Sequence, residues 1–278
     1  MFTHRNDNAN TEVFNTMLEV QADLNDVMGG VQWRNAMLQN DHGFKYRRAV
    51  KVEAAEAIAK TPYKWWAVTE FEAAPFRMEL IDIAHFLLSF THVVARSANP
   101  FYWASTQDVY TTLDAMAEGW RNAESRYKHE DNVCNWEQSV KHLESLVNNL
   151  YGRHTGCQDT YTSFDLCGAW ENLFSAFFSA FPDFTIQELL TEYLTKSVLN
   201  RFRTSNGAKS HGLSYTKAQY LENPARYVKV WADGREDTEH LSDIVDEMLL
   251  IGKVDNTQLM VELAVRYQKT LDAFARVA

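Results

Sequence analysis

The sequence contains few of the residues that interrupt helices and form tight turns. Its 278 residues include only 11 glycines and 5 prolines, which is well below average usage. A fold of many short strands needs turn residues at frequent intervals. The shortage therefore argues against a strand-rich architecture and favours long helices.

Cysteine is scarce as well. The three cysteines, Cys134, Cys157 and Cys167, are odd in number and irregularly spaced, and the sequence has no CxxC pair. This usage opposes both a disulfide framework and a zinc knuckle. We therefore expect a protein of the reducing cytoplasm.

Long apolar runs and an excess of positive charge are also lacking. The longest apolar stretch, 81–90, is interrupted by Asp82, His85 and Ser89, so it is too short and too polar to span a bilayer. The N-terminal segment has no apolar signal core. The net charge of −10 opposes a nucleic-acid coat. We expect neither a membrane nor stable nucleic-acid binding.

What the sequence does contain is helical periodicity. Apolar residues recur at helical spacing, and Thr185 and Glu188 form a capping box at the start of one segment. The predicted helices are 11–28, 45–60, 76–96, 108–127, 132–151, 164–181, 185–203, 238–250 and 256–276. The stretch of about 204–236 has no helical period and is predicted to be an ordered loop. We predict one compact all-α domain, a multi-helix bundle over residues 1–278.

Two helices carry carboxylates in unusual settings. The helix 76–96 is apolar almost all round, which is typical of a buried helix, yet it bears Glu79 and Asp82. Glu53 and Glu56 lie three apart on one face of the preceding helix. If the two helices pack together, the four carboxylates converge. Oxygen ligands without thiolates favour two or more Mg²⁺ ions, with Mn²⁺ as an alternative. The simpler interpretation is solvated acids with local partners.

Magnesium ions held by carboxylates usually also bind substrate phosphates. Basic residues that suit phosphate oxygens are concentrated in one part of this acidic chain. They are Arg201, Arg203, Lys209, Lys217, Arg226, Lys229 and Arg235. The sequence therefore predicts a phosphate-bearing substrate.

Five blocks together resemble a known family. They are LEVQADLN (18–25), EAAEAI and YKWW (53–66), ELIDIAHFLLS (79–89), LNRFR and NG (199–207), and RYVKVWADGRED (226–237). Their order is similar to that in the dimeric all-α dUTP pyrophosphatases, which belong to the MazG-like pyrophosphohydrolases of kinetoplastids, some bacteria and many bacteriophages. Residues 97–160 match no block of that family.

The resemblance implies Mg²⁺-dependent hydrolysis of dUTP to dUMP and pyrophosphate, cleavage of dUDP, and a homodimer, in the host cytoplasm if the chain is phage-encoded. Glu53, Glu56, Glu79 and Asp82 would hold the metal, and Glu53 would activate the attacking water. Two further sets of side chains would bind the nucleotide. Those around the base and sugar are Gln21, Asn25, Trp65 and His85, and those at the phosphates and sugar are Asn200, Arg203, Tyr227 and Lys229.

The phosphate side departs from the family pattern. Ala208 replaces a tyrosine, and a second YxK motif, Tyr215 to Lys217, competes with Tyr227 and Lys229. We favour the later pair because Trp231 and the GRED sequence follow it.

Three alternatives differ from the dUTP pyrophosphatase interpretation in substrate or in class of protein. A dCTP or dual dCTP/dUTP pyrophosphatase would share the same site. A di-iron carboxylate protein would need two ExxH motifs, and the sequence has none. A non-enzymatic helical interaction module would leave the acidic and basic clusters unexplained.

Overall fold

Nine α-helices make up most of the chain that the structure describes. A computed structural model describes residues 7–29, 33, 41–98, 106–127, 133–151, 166–207, 227–250 and 254–276. The helices are α1 (Asp7–Gly29), α2 (Asp41–Ala59), α3 (Ala73–Ala98), α4 (Thr106–Tyr127), α5 (Trp136–Tyr151), α6 (Leu166–Ala180), α7 (Ile186–Ser205), α8 (Asp237–Leu250) and α9 (Asn256–Ala275). The all-α prediction is confirmed.

The helix ends follow local chemistry. At the start of α7, the backbone N–H and hydroxyl of Thr185 donate to Glu188 Oε2 at 2.8 and 2.7 Å. Glu188 N–H donates back to Thr185 Oγ1 at 3.2 Å, so the predicted capping box forms. Helix α3 begins at Ala73 rather than after Pro75, because proline is tolerated in a first helical turn.

The chain divides into two compact units. Unit 1 comprises residues 1–21 and 32–190, and unit 2 comprises residues 22–31 and 191–278. The prediction of a single domain over the whole chain stays a prediction.

In unit 1, helix α6 packs against α3, α4 and α5, and α2 packs against α3 and α5. The core is aromatic: the Trp120 ring centroid lies 5.1 Å from that of Phe174 and 4.9 Å from that of Phe178. Gly119 allows α4 and α6 to come close together. A Cβ on Gly119 would lie 2.8 Å from the backbone nitrogen of Glu171.

Helix α3 runs through the core of unit 1. Leu80, Ile83 and Leu87 are fully buried, as the all-round apolar sequence predicts. The segment Ala73–Ala95 is long and apolar enough to cross a membrane, but 78% of its most apolar window is buried inside the protein. Burial of this extent is the behaviour of a core helix.

In unit 2, a turn and three helical segments share a core. Residues 227–236 form a turn closed by an antiparallel bridge between Val230 and Glu236. Gly234, with a φ of 86°, supplies the left-handed residue of that turn. The fully packed core consists of Val198, Leu199, Phe202, Tyr227, Trp231, Leu241, Ile244, Met248, Leu259, Leu263 and Tyr267. In the predicted loop of 204–236, residues 208–226 lie outside the described residues.

Candidate active site

The packing of α2 against α3 brings three glutamates together. One carboxylate oxygen from each of Glu53, Glu56 and Glu79 lies within 4.8 Å of the other two. Glu53 and Glu56 are three residues apart on α2, and Glu79 comes from the second turn of α3. These three side chains, called here the glutamate cluster, could hold a metal ion through oxygen ligands.

Asp82 lies on the same side of α3, three residues after Glu79. Among the described residues it is not one of the carboxylates that meet within 4.8 Å. The expected convergence of four carboxylates is therefore seen for three, and the assignment of all four as metal ligands stays a prediction.

The acids of α3 are less buried than the sequence indicates. Glu79 and Asp82 are half-buried, although the apolar residues around them are fully covered. Phe86 is also half-buried, and residues 79, 82 and 86 lie on one helical stripe. This stripe is the side of α3 that the packing leaves partly open, so solvent and ions can reach both carboxylates.

One turn further along α3, the polar groups are buried and hydrogen-bonded to α1. His85 and Gln21 are 4% and 3% exposed. The amide oxygen of Gln21 lies 2.8 Å from His85 Nδ1, and Gln21 Nε2 donates to Ser89 Oγ at 3.0 Å. Two side chains predicted to bind the base therefore contact each other directly.

Trp65 lies in the turn after α2 and is 89% exposed. Its ring packs edge-on against Trp66, with centroids 5.7 Å apart, and Trp66 is itself exposed. The indole of Trp65 is therefore a surface group rather than part of the core.

The predicted phosphate-side residues of unit 2 surround a carboxylate that the sequence did not single out. Asp237, at the start of α8, is fully buried. Its two oxygens accept from Arg203 Nε and Nη2, both at 2.7 Å. Tyr227 donates its hydroxyl to Asp237 Oδ2 at 2.7 Å, and Arg203 Nη1 lies 3.5 Å from Asn200 Oδ1. These four residues form the Asp237 cluster.

Electrostatics stabilise this cluster in its ionised form. Burial raises the pKa of Asp237, but the hydrogen bonds and charge of Arg203 outweigh burial and hold that pKa below its ordinary value. Burial and the Asp237 charge raise the pKa of Tyr227. Tyr227 thus stays a protonated donor to an ionised Asp237.

The positive charge of Lys229 also helps to hold the pKa of Asp237 below its ordinary value. Lys229 Nζ lies 2.8 Å from Glu236 Oε2 in the 227–236 turn. Asn25 is buried on α1. The competing pair, Tyr215 and Lys217, lies outside the described residues.

Three residues stand out in the structure to which the sequence patterns assigned no role. Asp237 anchors Arg203 and Tyr227, and Tyr46 hydrogen-bonds Ser89. Arg47, 2% exposed, donates to the Leu150 carbonyl at 3.0 Å. Only Asp237 had a local signal, as the last residue of the GRED block. The others depend on contacts between distant segments.

The helices and the glutamate cluster define an all-α protein with an acidic candidate active site. The family model for dUTPases matches residues 13–207. The chain therefore belongs to the dUTPase family, as the resemblance predicted, and its activity is that of a dUTP diphosphatase. The comparison with curated proteins found no significant match. The last resembling block, 226–237, lies beyond the matched residues.

Proposed function

We propose that the chain hydrolyses dUTP to dUMP and pyrophosphate, and dUDP to dUMP and phosphate, in a Mg²⁺-dependent reaction. The observation that carries the proposal is the glutamate cluster, in which three carboxylate oxygens lie within 4.8 Å of one another in a dUTPase-family chain. Like charges held this close repel unless a proton or a cation compensates them.

The donor set fits a hard divalent cation. All three ligands are carboxylate oxygens, which Mg²⁺ and Mn²⁺ prefer. Glu56 is exposed, and Glu53 and Glu79 are half-buried, so an ion could keep several of its waters. In this proposal Glu53, Glu56, Glu79 and Asp82 hold two or more ions. Bound there, the ions would supply charge stabilisation at the phosphoryl oxygens and a more acidic water.

Glu53 is the proposed general base. Its carboxylate lies beside those of Glu56 and Glu79 and is only partly exposed. A carboxylate in that position can accept the proton of a water that attacks the phosphorus. The remaining carboxylates orient the reacting groups.

The base and sugar are assigned to Gln21, Asn25, Trp65 and His85. The buried Gln21 and His85 present hydrogen-bonding groups of fixed orientation, which suits the edge of a pyrimidine. The exposed indole of Trp65 can stack on a base face.

The phosphate and sugar groups are assigned to Asn200, Arg203, Tyr227 and Lys229. Asp237 takes two of the five N–H donors of Arg203 and fixes the guanidinium plane. An arginine oriented in this way is suited to phosphate oxygens. We further propose a cytoplasmic homodimer that binds deoxyuridine nucleotides and associates stably with neither nucleic acid nor membranes.

The test is product release across a panel of deoxynucleoside tri- and diphosphates, with Mg²⁺, with Mn²⁺ and with EDTA. We expect dUTP to be the best substrate, with dUDP also cleaved and no turnover in EDTA. Equal activity in EDTA would overturn the metal assignment. Turnover confined to purine nucleotides would overturn the base assignment.

A further inference from the structure

The hydroxyl of Ser89 lies at the centre of a hydrogen-bond network that sets the orientation of Gln21 and His85. Ser89 is on α3, one turn after His85, and is 1% exposed. A serine hydroxyl has one hydrogen to donate and two lone pairs that accept. In this structure the hydrogen and one lone pair have defined partners, and the second lone pair is available to Tyr46.

The hydrogen of Ser89 goes to the backbone carbonyl of His85, at 3.1 Å. One lone pair accepts from Gln21 Nε2, at 3.0 Å. The second can accept from Tyr46, whose hydroxyl hydrogen-bonds Ser89. Burial raises the pKa of Tyr46 to about 12, so that phenol keeps its proton and can donate it.

These bonds are consistent with one amide orientation of Gln21 and one tautomer of His85. Because Ser89 accepts from Gln21, the amide nitrogen faces Ser89 and the amide oxygen faces His85. That oxygen lies 2.8 Å from Nδ1 of His85, so Nδ1 must carry a hydrogen. In the neutral imidazole, Nε2 is then an acceptor.

The opposite arrangement would need a concerted change. Ser89 would have to release the His85 carbonyl and donate to Gln21 Oε1. Gln21 Nε2 would then donate to His85 Nδ1, and the imidazole hydrogen would move to Nε2. Each donor and acceptor along the two side chains would be inverted.

Uracil and cytosine differ by an inversion of the same kind. Uracil presents an N3–H donor beside an O4 acceptor, whereas cytosine presents an N3 acceptor beside an amino donor. A site with fixed hydrogen-bonding groups rejects a ligand that leaves those groups unpaired. A site in which Gln21 and His85 contact the base would therefore discriminate between uracil and cytosine through the state of the Ser89 network.

We propose that Ser89, supported by Tyr46, is a positioning residue that holds Gln21 and His85 in the arrangement that accepts uracil and rejects cytosine. The inference rests on the proposed assignment of Gln21 and His85 to the base. It adds two residues that do not belong to the predicted site.

The test compares kcat/KM for dUTP and dCTP in Ser89→Ala and in a matched control, Ser139→Ala. Ser139 is also buried and donates to a backbone carbonyl, that of Ala176, at 2.7 Å. In Ser89→Ala we expect the dUTP-to-dCTP ratio of kcat/KM to fall by about tenfold or more. The control should keep the ratio within about twofold, whatever thermal stability either variant loses.

Tyr46→Phe provides a second variant with a smaller volume change. It removes one donor to Ser89, so the ratio should fall in the same direction by a smaller factor. An unchanged ratio in both Ser89→Ala and Tyr46→Phe would overturn the proposal.

A measurement without substrate separates this inference from the proposed function. Nitrogen-15 NMR of the histidine side chains, with His85→Gln to assign the signals, should show Nδ1 of His85 protonated in the wild type and mixed tautomers in Ser89→Ala. A wild-type His85 protonated only at Nε2 would overturn the network. Absence of deoxyuridine turnover would instead overturn the proposed function and leave the tautomer result intact.

Discussion

The two units of the chain place these carboxylates in opposite environments. In unit 1, the glutamate cluster places three like charges within 4.8 Å at a partly open surface. In unit 2, the fully buried Asp237 is matched by Arg203 and by the hydroxyl of Tyr227. The first arrangement concentrates charge of one sign, and the second neutralises it within the fold.

This difference indicates what each cluster contributes. Removing one partner of a buried, hydrogen-bonded ion pair strongly lowers the free energy of unfolding, because the remaining charge stays buried. Carboxylates gathered at a partly open surface can instead share a divalent cation, which stabilises them when it binds. We therefore expect substitutions in the glutamate cluster to change activity more than stability, and loss of the Asp237 carboxylate to change stability.

The largest effect should come from Glu56→Gln. Loss of one proposed metal ligand should lower turnover of dUTP by about 1000-fold, since metal stabilisation of the transition state contributes several kcal/mol. The melting temperature without divalent ions should be unchanged or higher, because a like charge is removed. Glu144→Gln, at an exposed site on α5, is the control and should keep full activity.

Asp82→Asn tests whether the fourth carboxylate belongs with the cluster. We expect turnover to fall by about 100-fold, as for a group that orients or completes a metal site, with little change in melting temperature. Circular dichroism melts and steady-state rates measure the two quantities. Near-normal activity would remove Asp82 from the metal assignment.

Asp237→Asn should be the most damaging of these substitutions to stability. It breaks the pairing with Arg203, which should lower the free energy of unfolding by about 3 kcal/mol. Denaturant titration measures this loss. A change below about 1 kcal/mol would show that the pairing contributes little.

The same variant should alter the dependence of stability on pH. The pKa of Asp237 in the folded protein lies below the ordinary value of 3.8. The contribution of ionised Asp237 to the free energy of unfolding is therefore fully present above pH 3.8. It is lost as the pH falls through the lower pKa that Asp237 has in the folded protein. Wild-type stability should decline over that acidic range, and Asp237→Asn should show a smaller decline.

The smallest effect should come from Asp243→Asn on the surface of unit 2. Asp243 pairs with Arg235 at 2.7 Å, but both side chains are about 40% exposed. Exposed pairs contribute little because solvent screens them. We expect no measurable change in the denaturation midpoint; a shift as large as that of Asp237→Asn would contradict the distinction between buried and exposed pairs.

Local sequence patterns predicted the helices well. Amphipathic spacing and the Thr185–Glu188 box depend on residues three or four apart, and α2, α3 and α7 formed as expected. The pairing of Glu53 and Glu56 with Glu79 was also predictable, because consecutive helices commonly pack together. The all-round apolar pattern of α3 indicates that Glu79 and Asp82 are buried, but both are only half-buried, because one stripe of that helix stays partly open.

The polar networks were not predictable from local patterns. The hydrogen bond between Gln21 and His85 joins residues 64 apart, and the Arg203–Asp237 pair joins residues 34 apart. Periodicity identifies which face of a helix is buried, but it gives no partner for a polar group on that face. For this reason Arg203 was predicted only as a phosphate ligand, while its contact with Asp237 emerged from the fold.

The exposed turn after α2 should affect the tryptophan fluorescence of the protein. Trp65 and Trp66 are 89% and 64% exposed, whereas Trp33, Trp120 and Trp170 of the same unit are 2% exposed or less. Indoles in water fluoresce at longer wavelengths and are readily quenched by iodide or acrylamide. Among the tryptophans that the structure describes, these two are the most exposed, so they should dominate the quenchable emission of those residues. A nucleotide stacked on Trp65 would shield it from the quencher.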